Sequence, residues 1–141
     1  MHVVFAWRRL IPDGRIVTVS TRTRLAADQL PPPPVLIVVD DADRVDDHSG
    51  TLAAIAAGRH PGVTIAAAGR LEAMRSAYGH WTRDAARSRC GIVMTATGDV
   101  DGDLLGTTLP RRTSIPARPG LGWLVDRRGH RLVQVAARLP A

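Results

Sequence analysis

The chain contains no lysine: all 19 of its basic residues are arginine, and against 13 acids they leave a formal charge of +6 over 141 residues. A phosphate-binding loop of the form G-x-x-x-x-G-K-[ST] needs a lysine to reach the terminal phosphates. No such loop exists here, and no arginine version of its spacing precedes Asp40. Cysteine is nearly absent too. The single Cys90 excludes an intramolecular disulfide and reads as a small buried hydrophobe in a reducing compartment. Aromatics make up only 4%, so Val, Leu, Ile and Ala must build the core. No apolar run approaches the ~18 residues of a membrane span. In the opening "MHVVFAWRRL" the charge follows the apolar stretch instead of preceding it, unlike a secretory signal. These absences predict a cytoplasmic protein.

What is present fits one globular domain. The apolar fraction is 45%, too high for disorder. Abundant Ala, Gly, Pro and Val with lysine excluded suggests GC-rich codons. The positive charge suits a polyanion such as DNA, or simply a solvated surface, because the arginines run along the whole chain.

Periodicity and punctuation divide the sequence into elements. "HVVFAW" and "RIVTVS" read as strands around an "IPDG" turn. "TRTRLAADQL" predicts a short helix over 24–30, ended by the stiff proline run 31–34. Residues 1–34 thus form an N-terminal segment and spacer, and residues 35–141 the main body. "VLIVVD" is apolar without alternation, which predicts a central parallel strand covered on both faces. "SGTLAAIAAGRH" predicts a helix stopping near Gly58 to Gly62, "VTIAAAG" a second buried strand, and "RLEAMRSAYGHWTRDAARSR" a helix broken at Gly79. "GIVMTA" is a third strand. A loop-rich stretch with at most one helical turn near Leu104 follows. "GWLVDRRGHRLVQVA" then predicts a hairpin turning at Asp126 to Gly129. Strands alternating with helices predict a three-layer α/β domain, its sheet mainly parallel and flanked by helices, with a C-terminal hairpin.

Ligands of such sheets bind outside the carboxyl ends of the strands. Asp40 and Asp41 stand at one such end, Gly69 and Arg70 at another. An apolar strand closing on acid is the Walker B pattern. There Asp40 would hold Mg²⁺ through water, and Asp41 would take the place usually given to a water-polarising Glu. The other reading is a helix cap. Asp41 is one methylene shorter than Glu, about 1.5 Å of reach.

Taken in order, "VLIVVDDADRVDD", "RSAYGHWTR", "DGDLLG" and "PGLGWLV" resemble the C-terminal half of an FtsK/SpoIIIE-type motor domain, nearest to actinobacterial FtsK/SpoIIIE-like and EccC-like type VII secretion ATPases. The resemblance covers 35–137. It implies a partial RecA-like P-loop fold and ATP-driven translocation of DNA or secreted protein. It also implies bound ATP and Mg²⁺ in an intact protein, completed by the rest of an ATPase domain or by further copies of the chain. Carried over position by position, Asp40 and Asp41 take the nucleotide-facing places and Asp40 the metal. Arg70 keeps a cationic place next to the strand end. Ala68 and Gly69 stand where the family has a phosphate-sensing Thr-Gln pair. Two expectations follow: a Walker B half, truncated and inactive alone, or a degenerate scaffold that binds protein or DNA without ATP.

Other residues carry weaker expectations. Arg70, Arg75, Arg83, Arg87 and Arg89 suit DNA phosphates, a neighbour's nucleotide, or a solvated face. His80 and Trp81 suit an anchored corner at the helix break. His48, His60 and His130 lack metal-ligand spacing. Gly102, Gly106, Gly120 and Gly122 suit loop geometry. "LPRRTSIPARPG" suits a basic channel or a surface loop.

Overall fold

The computed structural model describes residues 2–6, 15–96, 98–111 and 115–135, with the backbone alone for 2–6. Seven strands form one sheet in the order β2-β3-β4-β1-β5-β6-β7. They are β1 (His2–Ala6), β2 (Arg15–Val19), β3 (Val35–Val39), β4 (Val63–Arg70), β5 (Gly91–Met94), β6 (Leu121–Asp126) and β7 (Gly129–Gln134). Helices α1 (Thr51–Ala56), α2 (Leu71–Ser76) and α3 (Thr82–Ala86) join the central strands.

Strands β2, β3 and β4 are parallel neighbours in matched register. The expected order departs next to β4. There β1 runs antiparallel, pairing Val4 with Ala68 on one side and with Ile92 of β5 on the other. The hairpin β6–β7 completes the sheet beyond β5, with its turn at Arg127 and Arg128 as expected. Only two of the six strand pairs are therefore parallel, not most of them. A strand's direction depends on the distant partner it finds. The residues of β1 do not by themselves encode that direction.

Each crossover moves the same way across the sheet, β2 to β3 to β4, then over β1 to β5. Right-handed connections of that kind place all their helices on one face. Burial agrees. Val35, Ile37 and Val39 are completely shielded, while Leu36 and Val38 between them are partly exposed. The core joins these valines and Ile37 with Leu52 and Ile55 of α1, Leu71 and Met74 of α2, and Val93 and Val125. No helix among the described residues covers the opposite face. The domain has two layers there, not the three expected. An unalternating run does not distinguish full cover from half cover when small and β-branched neighbours shield the second face.

Local chemistry sets the element ends. Helix α1 stops where Gly58 adopts φ +76°, with Gly58 N–H donating to Ile55 O and Arg59 N–H to Ala54 O. At its start Asp47 accepts from Ala53 N–H at 2.8 Å, so this acid is a helix cap. The helix expected over 24–30 shrinks to a 3-10 turn at Ala27–Gln29. Pro31 drives Leu30 extended, and too few residues remain to nucleate an α-helix. The single turn expected near Leu104 is a longer 3-10 segment, Asp99–Leu105, entered through Gly98 N–H donating to Asp101. The break at Gly79 is present, at φ +75°. Beside it Trp81 is buried and donates from Nε1 to Val45 O at 2.7 Å, which anchors the corner. The "IPDG" turn and Trp7 lie outside the described residues, as do residues 112–114 of the proline-rich loop.

Candidate functional site

The carboxyl ends of β3 and β4 hold every residue singled out as a nucleotide-site candidate. Asp40 follows β3 directly and is exposed. β3 is an interior strand, flanked by β2 and β4. Val39 faces the helices, so the next position, Asp40, falls toward the half-covered face. Its Oδ1 accepts from Asp41 N–H at 2.9 Å. Asp41 is exposed and left-handed, at φ 47° and ψ 39°. A non-glycine residue there marks a forced reversal, and Asp tolerates it better than most. The reversal opens a 3-10 turn, Ala42–Arg44, that folds back over the end of β4.

That turn delivers Asp43. Its side chain is wholly shielded from solvent. Oδ1 accepts from Arg70 N–H at 3.1 Å, and Oδ2 accepts from Arg70 Nε at 3.0 Å and from the terminal guanidinium nitrogen at 2.7 Å. Burial pushes the Asp43 carboxyl up, but the side-chain and backbone donors of Arg70 outweigh it and hold it below the ordinary carboxylate range. The hydrogen bonds that Arg70 donates to Asp43, and the charge of that carboxylate, raise Arg70 in turn, with a smaller push from the charge of Asp41.

Gly69 is explained by the same contact. A Cβ there would stand 2.6 Å from Met74 Cε and 2.8 Å from Asp43 Oδ1. The position is glycine because a carboxylate and a methionine occupy the space above it. Sequence reasoning missed Asp43, which stands 27 residues from its partner. The available signal was a third acid two places after the doublet, facing a glycine–arginine strand end.

Among the described residues no three His, Cys, Asp or Glu side chains gather to hold a metal ion. Arg70, the cation expected to meet phosphate, already binds Asp43 through Nε and one terminal nitrogen and is half exposed. Beside β4 the sheet continues as antiparallel β1, which ends at Ala6 opposite Ala66, pointing away from the carboxyl edge.

The remaining arginines divide. Arg75 pairs with Asp103 at 3.6 Å and Arg87 with Asp84 at 2.6 Å. Arg83 lies over the Tyr78 ring at 5.5 Å. His80 is spent on Thr82 and Val45 O. His130 packs edge-on against Trp123. No helix is long and apolar enough to cross a membrane among the described residues. No protein-family model, curated protein or solved structure matches this chain.

Proposed function

We propose that this chain is a non-catalytic scaffold related to the FtsK/SpoIIIE-type motor domain, keeping a partial RecA-like sheet while binding partners without using ATP. The observation that carries this reading is the Asp43–Arg70 clamp over Gly69. It closes the strand end where a nucleotide's terminal phosphate would be sensed. The parallel trio β2-β3-β4 with its crossover helix and the C-terminal hairpin support the ancestry. The net charge of +6 favours an anionic partner, DNA first, over an acidic protein or a further copy of the chain.

The motor reading stays as the second proposal because Asp40 closes an interior strand. In it, Asp40 would hold Mg²⁺ and Asp41 would orient water once the rest of an ATPase domain or oligomer supplied the phosphate loop.

Two measurements separate them. The purified chain is expected to release no phosphate from ATP above buffer with Mg²⁺ present, and ATP is expected not to shift its melting temperature. Turnover that Asp40→Asn abolishes would overturn the scaffold reading. Retention on duplex DNA is expected at low salt and falls steeply as salt rises. Absence of retention at low ionic strength removes DNA as the partner.

A further inference from the structure

A broad concavity among the described residues lies at the other end of the sheet from Asp40. It is a groove of about 970 Å³ beneath the start of β4, between the ends of α1 and α3 and the β6–β7 turn. Its volume falls within the range of ligand sites, ~300–1,000 Å³. Ile55, Ala56, Ile65 and Ala85 give it an apolar floor, and Cys90 lies in the same wall. Arg87, Arg127 and Arg128 stand around it. A second depression of about 500 Å³ shares Arg87 and Arg127 and extends to Arg89 and Gly106.

The charges there are unevenly compensated. Asp84 is taken by Arg87 and Asp126 by Arg131. Arg89, Arg127 and Arg128 have no ion pair among the described residues. Arg89 is also held at φ 49°, a left-handed backbone that a non-glycine residue seldom adopts. Its guanidinium lies over Gly106, where a Cβ would stand 3.2 Å from Nε. Two uncommitted guanidiniums, Arg127 and Arg128, thus border the apolar floor, and Arg89 borders the adjoining depression. Guanidinium is well suited to phosphate because its planar donors bind two oxygens at once.

We propose that this groove binds a small phosphate monoester with an apolar body, the phosphate on Arg127 and Arg128 and the body on Ile55, Ile65 and Ala85. A nucleic-acid strand fits less well. No aromatic side chain lines either depression to stack a base, and the carboxylates of Asp84 and Asp126 interrupt a continuous phosphate track. The site lies at the far end of β4 from Arg70, about 23 Å away at 3.3 Å per residue. It therefore stands whether or not the scaffold reading does.

The probe is 8-anilinonaphthalene-1-sulfonate, an aromatic body with one anionic head, displaced by phenyl phosphate or by inorganic phosphate. Phenyl phosphate is expected to displace it at about tenfold lower concentration than inorganic phosphate, since only the ester uses the floor. The double variant Arg127→Glu with Arg128→Glu, at two exposed turn positions, is expected to weaken phenyl phosphate about tenfold or more. Its melting temperature should stay that of the wild type. Arg22→Glu, at the Asp40 end, is expected to change nothing. Saturating phenyl phosphate should also slow modification of Cys90, the only thiol. Equal displacement from wild type and double variant, unprotected Cys90, or displacement by a single-stranded oligonucleotide but not by phenyl phosphate each overturns the proposal.

Discussion

The Asp43 carboxylate accepts three hydrogen bonds from one residue and is shielded from water, so its charge is tied to the folded state. Its folded pKa lies below the ordinary value of about 3.9. The stability it contributes is therefore fully present above that value and is lost as pH falls through the lower folded one. Asp43→Asn is expected to cost about 1–2 kcal/mol at neutral pH, at the low end for a charged hydrogen bond because Arg70 is half exposed. It should also flatten the acid limb. Urea unfolding of both proteins between neutral pH and pH 3 checks this: the gap should narrow with acid, and a constant gap would show that the charge plays no part. Cys90 titrates the other way. Burial, then the Asp126 charge, push its thiol up, with Arg131 opposing. At pH 8 it should react with a disulfide reagent more slowly than a free thiol, because less thiolate is present.

Among the elements, those legible in the sequence are those whose signal is local. The runs "VLIVV" and "VTIAAAG" became β3 and β4 because β-branched and small residues fill a pleated, shielded surface. The hairpin turn was legible from Asp126 to Gly129, and Asp126 now accepts from Arg128 N–H inside it. The acid end was legible as a place and not as a mechanism. Asp40 and Asp41 stand at the strand end where the close of the apolar run put them, but the clamp joins residues that only the β3–β4 crossover brings together. Gly69 tests that junction. Gly69→Ala is expected to destabilise by about 1–3 kcal/mol, since Met74 is a movable end but Asp43 is fixed by Arg70. Combining it with Asp43→Ala should recover part of the loss, and a double-mutant cycle from denaturation curves measures the coupling. Strictly additive losses would place the crowding elsewhere.

At the scale of the molecule, β1 is the hinge of the architecture. It alone joins the parallel strands β2-β3-β4 to the antiparallel β5-β6-β7 within the sheet, and Val3 and Val4 are each paired with both sides. Neither its direction nor its neighbours could be read from "HVVFA", a short run equally suited to an edge or a centre. A strand bonded on both sides commits its backbone N–H groups to one ladder or the other, and proline supplies none. Val4→Pro therefore removes a ladder bond at the only seam between the halves, and its ring also crowds the neighbouring strand. The expected loss is about 3 kcal/mol or more. More telling than the loss is its form. With the seam intact, one shared core spanning Val35, Ile37, Val93 and Val125 should unfold in a single calorimetric transition. With the seam broken, the hairpin half should melt first and separately, which fluorescence from Trp123 on β6 would follow apart from the far-ultraviolet signal. If the variant still unfolds in one coincident transition at an unchanged temperature, β1 is not what holds the two halves of the sheet together.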